Sequence, residues 1–329
     1  MKFPKVKLKF KRRESEESFK PMHPFWVIVQ KEVGDHIRSW RFVILLVILF
    51  LTCFASLYTA LSAIRDAAAE IDSNQSFLFL NLFTLTDQNG SLPPFITFIS
   101  FLGPILGIGL GFDAISAERN KGTLSRIVSQ PIPRDYLINA KFVATLLIVT
   151  FFIFSLGFLV IGLGILSIGL PPTWDEFARM VTFLFLSVIY IGFWLNLAIL
   201  FSVRFKQTAT SALASIGLWL FFSLFYSMLV NLVSGQSSAN DPAQFAFMQM
   251  LSRLNPSYLF SEMTTILLTP SIRALGPLTM EQAVGAIPTP LPFMQSLLLI
   301  WPQFVGLLAA TCLCFGISYL IFMRQEIRA

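Results

Sequence analysis

A chain of 329 residues that is 55% hydrophobic and only 13% charged is not a soluble globular protein, because such a domain carries about a quarter charged residues. Several apolar runs reach the roughly 20 residues needed to cross a bilayer, so the composition predicts an all-α polytopic membrane protein. The net charge of +6 reads as excess Lys and Arg on the cytoplasmic side, not as a nucleic-acid surface.

Residues 1–23 are a predicted basic cytoplasmic tail, with Lys2, Lys5, Lys7, Lys9, Lys11, Arg12, Arg13 and Lys20. Anionic headgroups are its expected partner. In residues 24–40, Trp26, Val29, Val33, Ile37 and Trp40 recur at spacings of three and four. Gln30, Lys31, Glu32, Asp35 and His36 mostly fill the other side. This pattern predicts an amphipathic elbow helix in the headgroup plane. A cytoplasmic extension of the first span is the alternative. His36, alone among charges, reads as solvated.

Six spans follow within residues 41–329, at about 41–61, 93–112, 142–170, 178–203, 210–233 and 297–323. The first begins far from Met1 and is long, so it reads as a retained span rather than a cleaved signal. In the second, Gly103, Gly107 and Gly111 lie four apart. Such a ridge predicts close helix contact, or else a kinked helix near Pro104. Residues 171–177 read as a short outer turn. The outer segment, 234–295, has apolar faces too short to span. It predicts re-entrant or capping helices before the last span, with an ordinary folded loop as the alternative. Asn74 and Asn89 head N-x-S triplets, which mean nothing in a bacterial chain. Cys53, Cys312 and Cys314 fall inside spans and make no disulfide framework. With both ends inside, twenty Lys and Arg face the cytoplasm and four face out, which sets the orientation.

Between the second and third spans lies a polar island, residues 113–141, carrying Asp113, Glu118, Arg119, Lys121, Arg126, Arg134, Asp135 and Lys141. Its first part can form a helix, acidic early and basic late, in keeping with the helix dipole. Gly122 loosens or ends that helix, and Pro131 and Pro133 force a turn. Asp113 reads as an interfacial helix cap. On residues alone, a charged helix-turn that docks a partner and a plain solvated loop both stand.

The chain carries no G-x-x-x-x-G-K-S/T phosphate loop, no H-E-x-x-H, no G-x-S-x-G and only two histidines. The spans hold Asn196 and Asn231 but no acidic residue at mid-depth, which argues against ion-coupled transport. Catalytic residues and metal ligands are therefore expected to be none. An energy-independent channel, or an anchor or sensor that recruits a regulator, remain as other classes.

The island also resembles the signature of the ATP-binding-cassette (ABC) type-2 permease family. The matching residues are Glu118-x-x-x-Gly122-Thr123-Leu124, Ser129-x-Pro131-Ile132-x-Arg134 and Lys141. Lys31-Glu32 with Arg38-Ser39-x-Arg41-Phe42, and Asn255-Pro256, resemble the same family. Ile127-Val128 and Ala140 depart from its usual Leu-Leu and Gly. The resemblance implies an exporter subunit in a bacterial plasma membrane, with no cofactor in this chain. ATP and Mg would be bound by soluble ABC ATPase subunits, and a second permease chain, identical or related, would complete the path. The cargo would be apolar or amphipathic: a lipid, drug or peptide. The island would be the coupling helix, with Glu118, Arg119, Gly122, Thr123, Arg126 and Arg134 as its ATPase-coupling residues. Glu118 and the arginines would pair with charges on the ATPase. Glu118→Lys and Gly122→Trp are then expected to leave the fold intact and uncouple ATP hydrolysis from transport.

Overall fold

The computed structural model describes residues 23–68, 78–84, 93–129, 133–234, 242–270 and 291–325. The basic tail through residue 22, Asn74, Asn89, Pro131 and residues 271–290 lie outside them. The described residues are all-α, and six helices are long and apolar enough to cross a membrane. This is the predicted class of fold.

The chain opens with α1 (Pro24–Ile37) and α2 (Trp40–Ala68). Ser39 separates them by serving both. Its hydroxyl donates to His36 O at 2.8 Å and accepts from Phe42 N at 3.3 Å, a side-chain cap that stops one helix and starts the next. The predicted elbow segment is therefore a helix separate from the first span. The two Trp are exposed, while Val29 and Glu32 are buried. The buried stripe is thus narrower than the sequence pattern, and it includes a carboxylate.

After α3 (Leu78–Thr84) comes α4 (Phe95–Gly111), then the short α5 (Ser116–Asn120) and α6 (Thr123–Val128). The long α7 (Arg134–Ile168) ends at Gly169 in the left-handed region, φ 80°. The next helix, α8 (Trp174–Arg204), starts inside the predicted outer turn. The reason is a capping box: Thr173 Oγ1 accepts from Glu176 N, and Glu176 Oε2 accepts from Thr173 N. Two orphan donors of the first turn are satisfied reciprocally. Glu176 Oε1 also accepts from Phe79 N at 3.0 Å, which ties α3 to the start of α8.

The core forms around α8, where Met180, Phe183, Tyr190, Trp194, Leu195 and Ala198 are fully buried. The glycines of α4 lie against it. A Cβ on Gly107 would meet Ile191 O at 2.7 Å and Leu195 N at 3.0 Å. Those atoms are backbone and cannot swing aside, so the glycine ridge is a contact surface. Gly107→Ala is expected to cost about 1–3 kcal/mol by forcing α4 and α8 apart. Gly217, with open space around its Cβ position, should accept Ala at no cost. Thermal unfolding of both variants in detergent checks the contrast.

The fifth span is not one α-helix. It consists of α9 (Thr208–Leu220), a π-helical turn at Phe221–Phe225, and α10 (Tyr226–Ser234). Beyond it, α11 (Pro242–Ser252) and α12 (Pro256–Leu268) make a hairpin, and α13 (Phe293–Arg324) is the last span. The hairpin goes deep. Asn255 Nδ2 donates to Phe222 O at 2.8 Å, in the middle of the fifth span. Ser257 Oγ lies 2.9 Å from Tyr190 Oη, and the Phe260 ring stacks on Tyr190 with centroids 4.3 Å apart. At the other end of α12, Leu267 O accepts from Arg179 Nη1 at 2.9 Å. Eleven residues of α8 separate Tyr190 from Arg179, about 16 Å along the helix. That is half the roughly 30 Å of a hydrocarbon core. The described part of segment 234–295 thus packs along α8 over that length.

Candidate functional site

The island is the end of α4, with α5 and α6, and the start of α7. Its path is fixed from several sides. Ile115 N and Ser116 N both donate to Ser202 Oγ of α8, at 2.9 and 3.0 Å. Ile115 and Leu124 are buried apolar anchors. Asp113, expected to cap a helix, instead forms an ion pair with Arg41 at the start of α2. Arg119 Nη2 bonds Gln325 Oε1, and Gln325 Nε2 donates to Val203 O at 2.9 Å. The island is thereby joined to the ends of α8 and α13.

Gly122 breaks the island between α5 and α6 with φ +68°. A side chain is strained at that angle, so the glycine sets the turn. Thr123 Oγ1 donates to Glu118 O at 3.2 Å across the break. Lys121, Gly122, Arg126, Ser129 and Arg134 are exposed. Arg134 opens α7 beside Asp135, where the helix dipole disfavours a cation.

Glu118 is oriented differently from these arginines. Its Oε1 lies 2.8 Å from Lys141 Nζ, and the same ammonium lies 2.9 Å from Glu32 Oε2. The side chains of Lys141, Glu32 and Glu118 are only 6%, 8% and 15% exposed. Lys31 Nζ adds a fourth charge, 3.1 Å from Glu32 Oε1. One buried lysine on α7 thus holds the elbow helix and the island together. Burial works to raise the Glu32 carboxyl, but Lys141 and Lys31 hold it below its ordinary value of 4.5. Glu118→Lys would set two ammonium groups in one buried site, so it is expected to damage the fold. The sequence-based expectation that this variant stays intact is corrected on that ground.

A cavity of about 540 Å³ adjoins this cluster, lined by Glu32, His36, Arg41, Asp113, Glu118 and Lys141 among others. His36 is half-buried and not solvated as expected, and its Nε2 lies 3.2 Å from Thr145 Oγ1 of α7. Burial holds its imidazole below 6.5 despite the neighbouring Glu32, Asp113 and Asp35. A depressed histidine pKa favours the folded state above 6.5, and that contribution is lost as pH falls through the folded value. The protein is therefore expected to lose thermal stability from about pH 7 to pH 5. The loss should shrink in His36→Gln, which can still bond Thr145 but cannot charge. Melting temperatures of both proteins in detergent across that range test it.

The sequence offers no way to pair Glu32, Glu118 and Lys141, which lie 23 to 109 residues apart. Their only common mark is that all belong to segments resembling one family. The comparisons agree with that mark. A model described as "ABC-2 family transporter protein" matches residues 26–327. The chain belongs to the ABC-2 transporter family. Its similar proteins include two named "Probable ABC transporter permease protein NosY". The one from Stutzerimonas stutzeri is 25% identical over 312 residues, covering 92% of this chain and 99% of that protein. The one from Pseudomonas aeruginosa is 26% identical over 244 residues, covering 71% and 79%. This ABC-2 chain is a multi-pass membrane permease subunit. Its charged island, locked from behind and exposed in front, is the ABC-2 feature that most needs a functional account.

Proposed function

We propose that this permease is the transmembrane half of an ATP-driven exporter in a bacterial plasma membrane, with both ends of the chain cytoplasmic. Two soluble ABC ATPase subunits dock beneath it, and a second permease chain completes the path. The ATP and Mg belong to the ATPases. The residues α5–Gly122–α6 are the coupling helix. The observation that carries this reading is the asymmetry of the island. Glu118 and Arg119 tie it to the elbow, α7, α8 and α13, while Arg126 and Arg134 face away from the bundle. A push on the exposed face is then transmitted to four helices at once, because every link is a short charged or hydrogen-bonded contact.

The cargo is apolar or amphipathic, moved outward along a wall made by the second and fifth spans of each half. Support comes from α4 and α9, which meet through Phe101 and Trp219, with ring centroids 5.0 Å apart. Exposed Phe101, Phe221 and Phe225 continue that apolar wall. Membrane lipids contact the rest.

Charge reversal of the exposed arginines, Arg126→Glu with Arg134→Glu, tests the coupling assignment. It is expected to lower co-purification with the partner ATPase by about tenfold, the loss of roughly 1.4 kcal/mol of interface energy. The melting temperature of the permease alone should not change. Undiminished co-purification would show that the island is not the docking element. A well-folded wild-type permease that binds no ATPase would instead favour an anchor or sensor.

A further inference from the structure

The hairpin carries a partly buried ion pair of its own. Arg253 sits at its turn, just before Asn255, and Glu262 is on α12. The contact is bidentate, with Arg253 Nη2 to Glu262 Oε1 at 2.7 Å and Nε to Oε2 at 3.1 Å. The Glu262 side chain is 2% exposed and the Arg253 side chain 40%. Arg253 lines a cavity of about 310 Å³ between the hairpin and α13, opposite Gln303, Gly306 and Ala310. Gln303 is 4% exposed, and its buried Oε1 has no hydrogen-bond partner. Leu254, on the same cavity, is 65% exposed. The cavity therefore reaches the surface of the bundle at the depth of the hairpin turn.

We propose that this cavity binds the uncharged polar headgroup of an amphiphile, a hydroxyl-bearing lipid of the monoacylglycerol class. Three features select it. The Arg253–Glu262 pair is already neutral, so a charged headgroup would bring uncompensated charge to membrane depth. The buried amide of Gln303 needs a partner, and a hydroxyl satisfies it whichever way the amide is turned. The opening is apolar, with Leu254 beside it and Leu308 and Leu313 exposed on α13, so the rest of the ligand is a hydrocarbon chain. Use of this site as a station for cargo rests on the export reading; the binding itself does not.

The test uses the full chain in phosphatidylcholine nanodiscs with a photoactivatable monoacylglycerol, the crosslinks being located by peptide mass spectrometry. Saturable labelling is expected on the peptides holding Leu254 and Ala310. Unlabelled monoacylglycerol should compete, while hexadecane and ionised palmitate should not. Gln303→Leu removes the polar partner and should lower labelling about fivefold, the value of one hydrogen bond. Gly306→Phe should abolish it by filling the cavity, since only Leu259 Cδ1, at 3.8 Å, comes near its Cβ position. Competition by hexadecane would show a merely apolar groove, and stronger competition by palmitate would show a charged-headgroup site; either overturns the proposal. The competition series needs only wild type, so a variant that fails to fold does not decide it. No ATPase is present, so failure of the export reading is seen separately, in co-purification.

Discussion

Replacing Lys141 with Met should destabilise the folded protein by about 3–5 kcal/mol, the cost of leaving buried charges without their partner. Lys141 Nζ lies within 3 Å of carboxylate oxygens of both Glu32 and Glu118. Without it, two carboxylates face one cavity, and only Lys31 remains beside Glu32. The triple variant Lys141→Met, Glu32→Gln, Glu118→Gln removes every stranded charge and should recover most of the loss. Lys141→Arg should recover less, since a planar fork does not replace a compact ammonium between two acceptors. Thermal unfolding in detergent gives the ranking. Proteolysis near the exposed Arg38 should rise in the single variant, because the elbow is what comes loose. A single variant as stable as wild type would mean that this lysine does not hold the elbow to the island.

The second large effect is at the opposite end of α8. Arg179 is fully buried. Its guanidinium donates to Asp175 Oδ2 at 2.7 Å, Leu267 O at 2.9 Å, Ser296 Oγ at 3.0 Å and Leu291 O at 2.6 Å. One side chain thus joins the start of α8, the end of α12 and the start of α13. Arg179→Met keeps the apolar stem and orphans these acceptors, at about 1–3 kcal/mol for each that water does not reach. A total of roughly 4 kcal/mol is expected on that scale. Hydrogen exchange should locate it, with residues 256–268 losing protection and α4 keeping its own. Equal protection in both proteins would show that α12 is held by its apolar packing alone.

These two lysine and arginine sites show where sequence reading stopped. The six spans were legible because burial in lipid demands long apolar runs, and no folding detail changes that requirement. Gly103, Gly107 and Gly111 were legible as a ridge because spacing by four fixes a helix face. The signal for the start of α8 was also present, since Thr173 and Glu176 have capping-box spacing, yet the two prolines before them favoured a turn. Arg179 counts in the sequence as an outer charge, but its partners arrive from residues 267, 291 and 296, a distance no local pattern reports. The same holds for Glu118. Its place in a family-like motif marked it for attention, and only the fold shows that it faces inward. Arg126 and Arg134 are exposed, as a docking role requires, though exposure alone does not assign one.

The wide turn at Phe221–Phe225 has a mechanical consequence. A π-helical turn shifts the backbone ladder from i+4 to i+5 and is a weak point in an otherwise stiff rod. Here the Phe222 carbonyl is held by Asn255, and one turn further on Tyr226 Oη donates to Leu251 O at 2.7 Å. Asn255 therefore grips the fifth helix inside the wide turn itself, and the Tyr226 bond to Leu251 follows just past it. Since α12 is itself held to α8 at Ser257, Phe260 and Leu267, the wide turn is anchored through the hairpin to the centre of the bundle. A tilt of α9 at its foot, beside the island, is therefore opposed at Phe222, where this anchor takes hold of the rod.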